Sequence, residues 1–277
     1  MSAVTSSALV AAESQRLLAR RMTRFFPLGL ALLMIVGAII AFLNIDGSVS
    51  FVDDLASGVS GDPDDNSTQV LGPMGFLVPI MAFVIGASFF GADQKTGMIE
   101  HLLTWEPRRS RFLSGRLIGG AITTFVITTL LSGFLVVVIY VLSSATGGAE
   151  GAFGIWPTVL GAVVRSGAVG AIFFMFGFGA TVITNNSVAS IVGFLIYVFV
   201  IETALVQPFL PDLAVWLPMN NADAFVSRSG VGEGTFFGGG FGADLHHGWV
   251  SAGLLAAAWG AATFLISMAV FNRRDID

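Results

Sequence analysis

The sequence contains no cysteine, a single lysine and three histidines, and only 11% of its residues are charged. Each scarcity closes off a class of chemistry. Without cysteine there is no disulfide, no thiolate metal site and no cysteine nucleophile. The one lysine, Lys95, follows Gln94, so the Gly-Lys pair of a phosphate-binding loop is missing and the chain is not expected to hydrolyse ATP by that route. His101, His246 and His247 do not form the H-E-x-x-H pattern of a zinc protease, and the adjacent pair is poorly spaced for a helical metal site. No catalytic, cofactor-binding or metal-binding residue is therefore expected.

What the chain does have is apolar length. Hydrophobic residues make up 55% of it, 25 of them phenylalanine. A bilayer core needs about 20 apolar residues per helix. Six segments meet that requirement, 25–43, 71–92, 117–142, 166–183, 188–206 and 249–271, and Glu202 alone interrupts them with a charge. The expected fold is an all-α membrane protein with a six-span domain over 25–271, an N-terminal amphipathic helix over 1–24 and a tail over 272–277. The fourth segment carries Gly167, Gly170, Gly177 and Gly179, which suit close helix packing but weaken an isolated helix; "AIFFMFGF" supports the span. The first apolar run has full span length and no small-residue cleavage site after it, so it is expected to stay attached.

Lysine and arginine near span ends set orientation. With the N-terminus inside, the inner segments hold Arg16, Arg20, Arg21, Arg24, Lys95, Arg108, Arg109, Arg111, Arg116, Arg273 and Arg274, eleven of the thirteen basic residues. The outer segments keep Arg165 and Arg228 and most of the acid. Both termini are accordingly expected on the cytoplasmic side. In "ESQRLLARRMTRFF", Arg16, Arg20 and Arg24 fall on one helical face and Leu18, Met22 and Phe25 on another, as in a helix lying along the inner interface.

The outer loops carry weaker signals. Asp62, Asp64 and Asn66 have the first three spacings of a calcium loop, but Ser67 replaces its glycine and Pro73 stands where its bidentate Glu belongs. "GVSG" at 58–61 is similar to the serine motif of rhomboid-type proteases, yet it lies in a polar loop and no span holds a histidine to act as base. After the fifth span, "QPFLPDLAVWLPMNNADAF" mixes proline-bounded apolar pieces, a candidate for dipping back into the membrane. Glu202, near the outer end of the fifth span, is expected to face protein or water and is a candidate point on an outer exit path.

Polarity is concentrated in "DQKTGMIEHLLTWEPRRSR", residues 93–111, between the second and third spans. Ile99, Leu102 and Leu103 make a small apolar face flanked by Glu100, Glu106 and the Arg108, Arg109, Arg111 cluster, the pattern of a docking element. Asp93, Gly97, the pair Leu102 and Leu103, then Pro107, Ser110 and Arg111 follow the order found after the second span in permease subunits of bacterial ABC transporters of the type 2 exporter class, which the chain resembles over nearly its whole length. Asp93 stands for a usual Glu, Met98 takes a usual Thr position, and one extra residue precedes Ser110. The resemblance implies that this loop is a coupling helix seated on a separate ATP-binding subunit, involving Asp93, Gly97, Ile99, Glu100, Leu102, Leu103, Pro107, Arg109 and Arg111. It also implies a second permease subunit, and ATP and magnesium bound by the partner and not by this chain. The remaining partner is the lipid bilayer of a bacterial plasma membrane, with no nucleic acid. A stand-alone channel or secondary transporter is the alternative, weakened by the lack of ionisable residues in the spans.

Overall fold

The computed structural model describes residues 6–44, 72–98, 109–145, 156–228 and 247–273. The calcium-like loop, "GVSG", His101, His246 and the loop residues Ile99, Glu100, Leu102, Leu103 and Pro107 lie outside the described residues. Among the described residues every regular element is helical, and five helices are long and apolar enough to cross a membrane. This is a multi-pass helical membrane architecture.

The elements in chain order are α1 (Ser6–Ala19), α2 (Arg21–Asn44), α3 (Gly72–Lys95), α4 (Arg109–Ala145) and α5 (Trp156–Thr184), then α6 (Ser187–Ile196). α6 runs without a break into a π-helical stretch (Tyr197–Val206) and a last α turn (Gln207–Phe209). Two short helices follow, α7 (Pro211–Ala214) and α8 (Pro218–Ser227), before α9 (Trp249–Arg273). The five apolar helices are α3, α4, α5, the 187–209 unit and α9. α2 covers the first expected span, and its chain is helical from end to end.

Two boundaries differ usefully from the hydropathy pattern. α4 begins at Arg109, eight residues before the apolar run, because Arg116 is buried and compensated and so need not terminate the helix. α5 begins at Trp156, ten residues before its expected start. At 1.5 Å per residue, its 29 residues span about 43 Å, more than the roughly 30 Å hydrocarbon core.

α5 is the hub. Four of its glycines, which cost helix propensity, remove a side chain at a crossing point: Gly167, Gly170, Gly177 and Gly179. A Cβ on Gly177 would lie 2.0 Å from the Phe83 carbonyl oxygen of α3, and one on Gly86 of α3 would lie 2.2 Å from the Phe174 carbonyl oxygen. Gly170 and Gly167 admit Thr128 and Thr129 of α4 in the same way, and Gly179 admits Thr263 of α9. Backbones this close gain dispersion contacts over a long seam. Phe89, Phe90, Phe173, Phe174 and Phe178 fill the space around it, all nearly inaccessible. On α9 the small residues Ala252, Ala256 and Gly260, one turn apart, are buried inside the bundle, whereas Ala257 and Ala261, each one position further on, are exposed.

The glycine contacts predict a graded response. Gly177→Ala pushes a methyl group into backbone that cannot rotate away, and overpacking of this kind costs about 1 to 3 kcal/mol. Thermal unfolding in detergent should show a clear loss for Gly177→Ala and none for Gly193→Ala, where nothing lies within 4 Å of the added carbon.

Candidate functional site

Asp93 sits in the last turn of α3, 4% exposed, at the end of the bundle where α4 begins. An ionised carboxylate at that burial needs cations. Three arginines supply them. Arg16 Nη2 lies 3.0 Å and Arg20 Nη2 2.6 Å from Asp93 Oδ1, and Arg116 pairs with Asp93 Oδ2. Glu13 of α1 joins as the second carboxylate, 3.5 Å from Arg116 Nε and 3.8 Å from Arg16 Nη1.

Arg116 is wholly inaccessible, its guanidinium over the rings of Phe89 at 4.8 Å and Phe112 at 5.3 Å. Arg20 also covers Phe89, at 4.7 Å, and donates to the carbonyl oxygens of Phe89 and Ser88 at 3.0 and 3.3 Å, nearly two turns before the end of α3. A cation over an aromatic face is favoured, and the carbonyls satisfy part of its guanidinium. Burial lowers the Arg20 pKa from its ordinary value, with Asp93 acting in the opposite direction.

The cluster folds the N-terminal helix back on the bundle. The chain bends at Arg20, so α1 does not continue to residue 24 as the pattern predicts. Arg16 and Arg20 turn inward to Asp93; Leu18, Met22 and Phe25 remain exposed, and Leu17 is the apolar residue that α1 buries. Gly97 terminates α3 with φ +64°, the left-handed conformation glycine adopts without strain, while Thr96 Oγ1 bonds back to the Ala92 and Asp93 carbonyls at 3.2 and 3.1 Å. Arg109 and Arg111 lie in the first turn of α4, not in the loop. Of the expected coupling residues, Asp93 and Gly97 thus stand at the end of α3, and Arg109 and Arg111 at the start of α4. Glu13 and Arg116 belong to the same cluster and are missing from the expected set.

At the opposite end, α8 packs among α3, α5 and α9. Its N-cap, Leu217, offers no side-chain acceptor. Glu202 supplies one from the π-helical stretch: fully buried, it accepts the Asn220 N–H through Oε1 at 3.0 Å. A carboxylate at a helix N-terminus is favoured by the free N–H groups and the dipole. Gln207 Nε2 donates to Asn220 Oδ1 at 2.7 Å, and Asn220 and Asn221 donate to the carbonyls of Ala214, Val215 and Leu217. His247 Nε2 is 2.9 Å from Asn221 Oδ1, and burial lowers its pKa. This amide network satisfies the buried backbone between the two prolines, Pro211 and Pro218, that interrupt the helix.

Two variants probe these ends. Asp93→Asn leaves three guanidiniums with Glu13 as their one carboxylate, and breaking a buried ion pair from one side costs about 3 to 5 kcal/mol. Hydrogen exchange over residues 6–24 should accelerate sharply in that variant, with α5 and α9 unchanged. Asp223 of α8 points at Gly75 of α3, and burial raises its pKa to about 7. The folded state then binds a proton more tightly at this residue than the unfolded chain does, so the Asp223 contribution to stability is full below pH 4 and is lost as pH rises to about 7, by on the order of 4 kcal/mol. The difference in melting temperature between wild type and Asp223→Asn, followed against pH, should show that slope.

Residues 30–276 match the model of a family described as a protein of unknown function, DUF2705. No curated protein matches the chain.

Proposed function

The chain belongs to the DUF2705 family of proteins of unknown function, and we propose that it is the membrane-spanning permease subunit of an ATP-driven ABC exporter, coupled to a separate ATP-binding subunit. The observation that carries this reading is the Asp93 cluster. It anchors α1, the end of α3 and the start of α4 to one another, and between those two helix ends runs the segment 99–108 with its apolar face and basic rim. A loop that must transmit force from a soluble motor needs both ends fixed to the bundle.

In this reading α2 is the first of six spans, and the Asp93 end is cytoplasmic, as the eleven basic residues require. α1 lies at the inner interface beside the coupling segment. Ile99, Leu102 and Leu103 fill a groove on the ATPase, each contributing about 1.5 to 3 kcal/mol when fully buried. Arg109 and Arg111 act at the rim, on encounter and orientation. A second permease subunit completes the pathway in a bacterial plasma membrane. Glu202 acts in this chain as the cap that ties α8 to the fifth span, on the side where cargo leaves.

The same Glu202 is the one observation favouring a secondary transporter, since a buried carboxylate within a span is what proton coupling uses. Coexpression with a neighbouring ATP-binding-cassette protein decides between the two. Replacing Leu102 and Leu103 together with Asp should abolish copurification of the ATPase and leave membrane insertion intact, whereas Arg109→Ala should weaken binding modestly and in a salt-dependent way. A double-Asp variant that retains a full complement of ATPase, or proton-driven flux by the purified chain alone, would overturn the permease reading.

A further inference from the structure

Of the thirteen basic residues, Arg165 and Arg228 lie at the end of the bundle opposite Asp93, 63 positions apart in sequence. The fold brings both to one ring. The Arg165 guanidinium lies 5.7 Å and that of Arg228 4.8 Å from the centre of the Trp249 indole, so the two charges are no further apart than the sum of those distances and repel each other. Among the described residues no carboxylate lies within ion-pair distance of either. This contrasts with the other end, where three arginines share Asp93 and Glu13.

Each cation is held in place by the fold. Arg165 donates Nε and Nη2 to the Val226 carbonyl at 3.2 and 2.9 Å, in the last turn of α8, which leaves the Nη1 edge for another acceptor. Gly161, one turn earlier on α5, makes room for that edge: a Cβ there would sit 3.0 Å from Nη1. Arg228 ends α8 in the left-handed region at φ +62°, an uncommon posture for a residue with a side chain, and it is exposed. Trp249 is backed by Phe225, stacked at 6.2 Å.

The position identifies the ligand. Trp249 opens α9, a tryptophan at the end of an apolar helix marks the membrane–water interface, and both guanidiniums reach its ring, so ring and cations lie at one membrane boundary. Lipid phosphates occupy that level, and guanidinium forks bind phosphate in bidentate fashion. We propose that Arg165 and Arg228, arranged around Trp249, form a phosphate site that takes the headgroup of an anionic phospholipid at the end of the protein opposite Asp93. The site stands apart from the coupling reading and does not depend on it.

Native mass spectrometry of the detergent-purified protein, with short-chain phosphatidylglycerol, phosphatidylcholine and inorganic phosphate as probes, tests the assignment. Phosphatidylglycerol should bind in preference to phosphatidylcholine, and Arg228→Gln should weaken it about tenfold, the usual scale for losing a charge-assisted contact. Arg228 is exposed, so this variant should fold; Arg165→Gln should act in the same direction, and Arg273→Gln, at the other end, should change nothing. Unchanged phosphatidylglycerol binding in Arg228→Gln would overturn the site, including the case in which an acidic loop of the chain already neutralises it. Displacement of phosphatidylglycerol by equimolar inorganic phosphate would show that the site takes free phosphate and would overturn the lipid assignment.

Discussion

The burial of one carboxylate, Asp93, organises the end of the molecule that carries the N-terminal helix. In an apolar bundle a lone ionised carboxylate is too costly to keep, and its cations must come from elsewhere in the chain. Arg116 arrives from the start of α4, Arg16 and Arg20 from α1 and the bend after it. The consequences reach well beyond one ion pair. α1 is folded back, α4 starts two turns early with a buried arginine inside it, and the segment 99–108 leaves and returns at fixed points.

Away from that end, cohesion comes from close backbone approach and not from charge. Water does not drive apolar helices together in a bilayer, so contact area and small residues must serve instead. The α3–α5 seam meets that requirement with Gly86 and Gly177, each facing the other helix's backbone. The threonines Thr128, Thr129 and Thr263 enter the remaining glycine notches, and Thr128 and Thr129 return their hydroxyl protons to carbonyls one turn earlier on α4. With Thr263 bonded to the Trp259 carbonyl, these three threonines enter their notches with their hydroxyl protons already used.

Much of this architecture was legible from hydropathy: the position of every apolar helix, the polar segment between α3 and α4, and the isolation of Glu202. The helix starts were not, because hydropathy treats Arg116 and Arg165 as boundaries while the fold compensates the first with carboxylates and the second with a carbonyl. The inward turn of Arg16 and Arg20 was also hidden. Their spacing reads as a solvated face until the buried Asp93 is placed opposite them. A sharper signal was available, since Asp93 directly follows one apolar run and Arg116 directly precedes the next, which puts opposite charges at the same level. Nothing comparable announced α8, whose burial depends on amides, Asn220 and Asn221, that look like loop residues until Glu202 caps their helix.

α3 connects the two ends. Asp93 lies in its last turn, and Gly75, in its first, meets the Asp223 side chain of α8. The helical rise from one to the other is about 27 Å, buried along almost its full length and locked to α5 by backbone contact. Pro79 lies inside α3 and removes one backbone N–H from its ladder, so packing against α5, and not an unbroken ladder, keeps the two ends in register. The two ends also differ in what would yield first. The charged cluster loses several kcal/mol if separated, whereas α8 is held by amide bonds that can exchange for water one at a time.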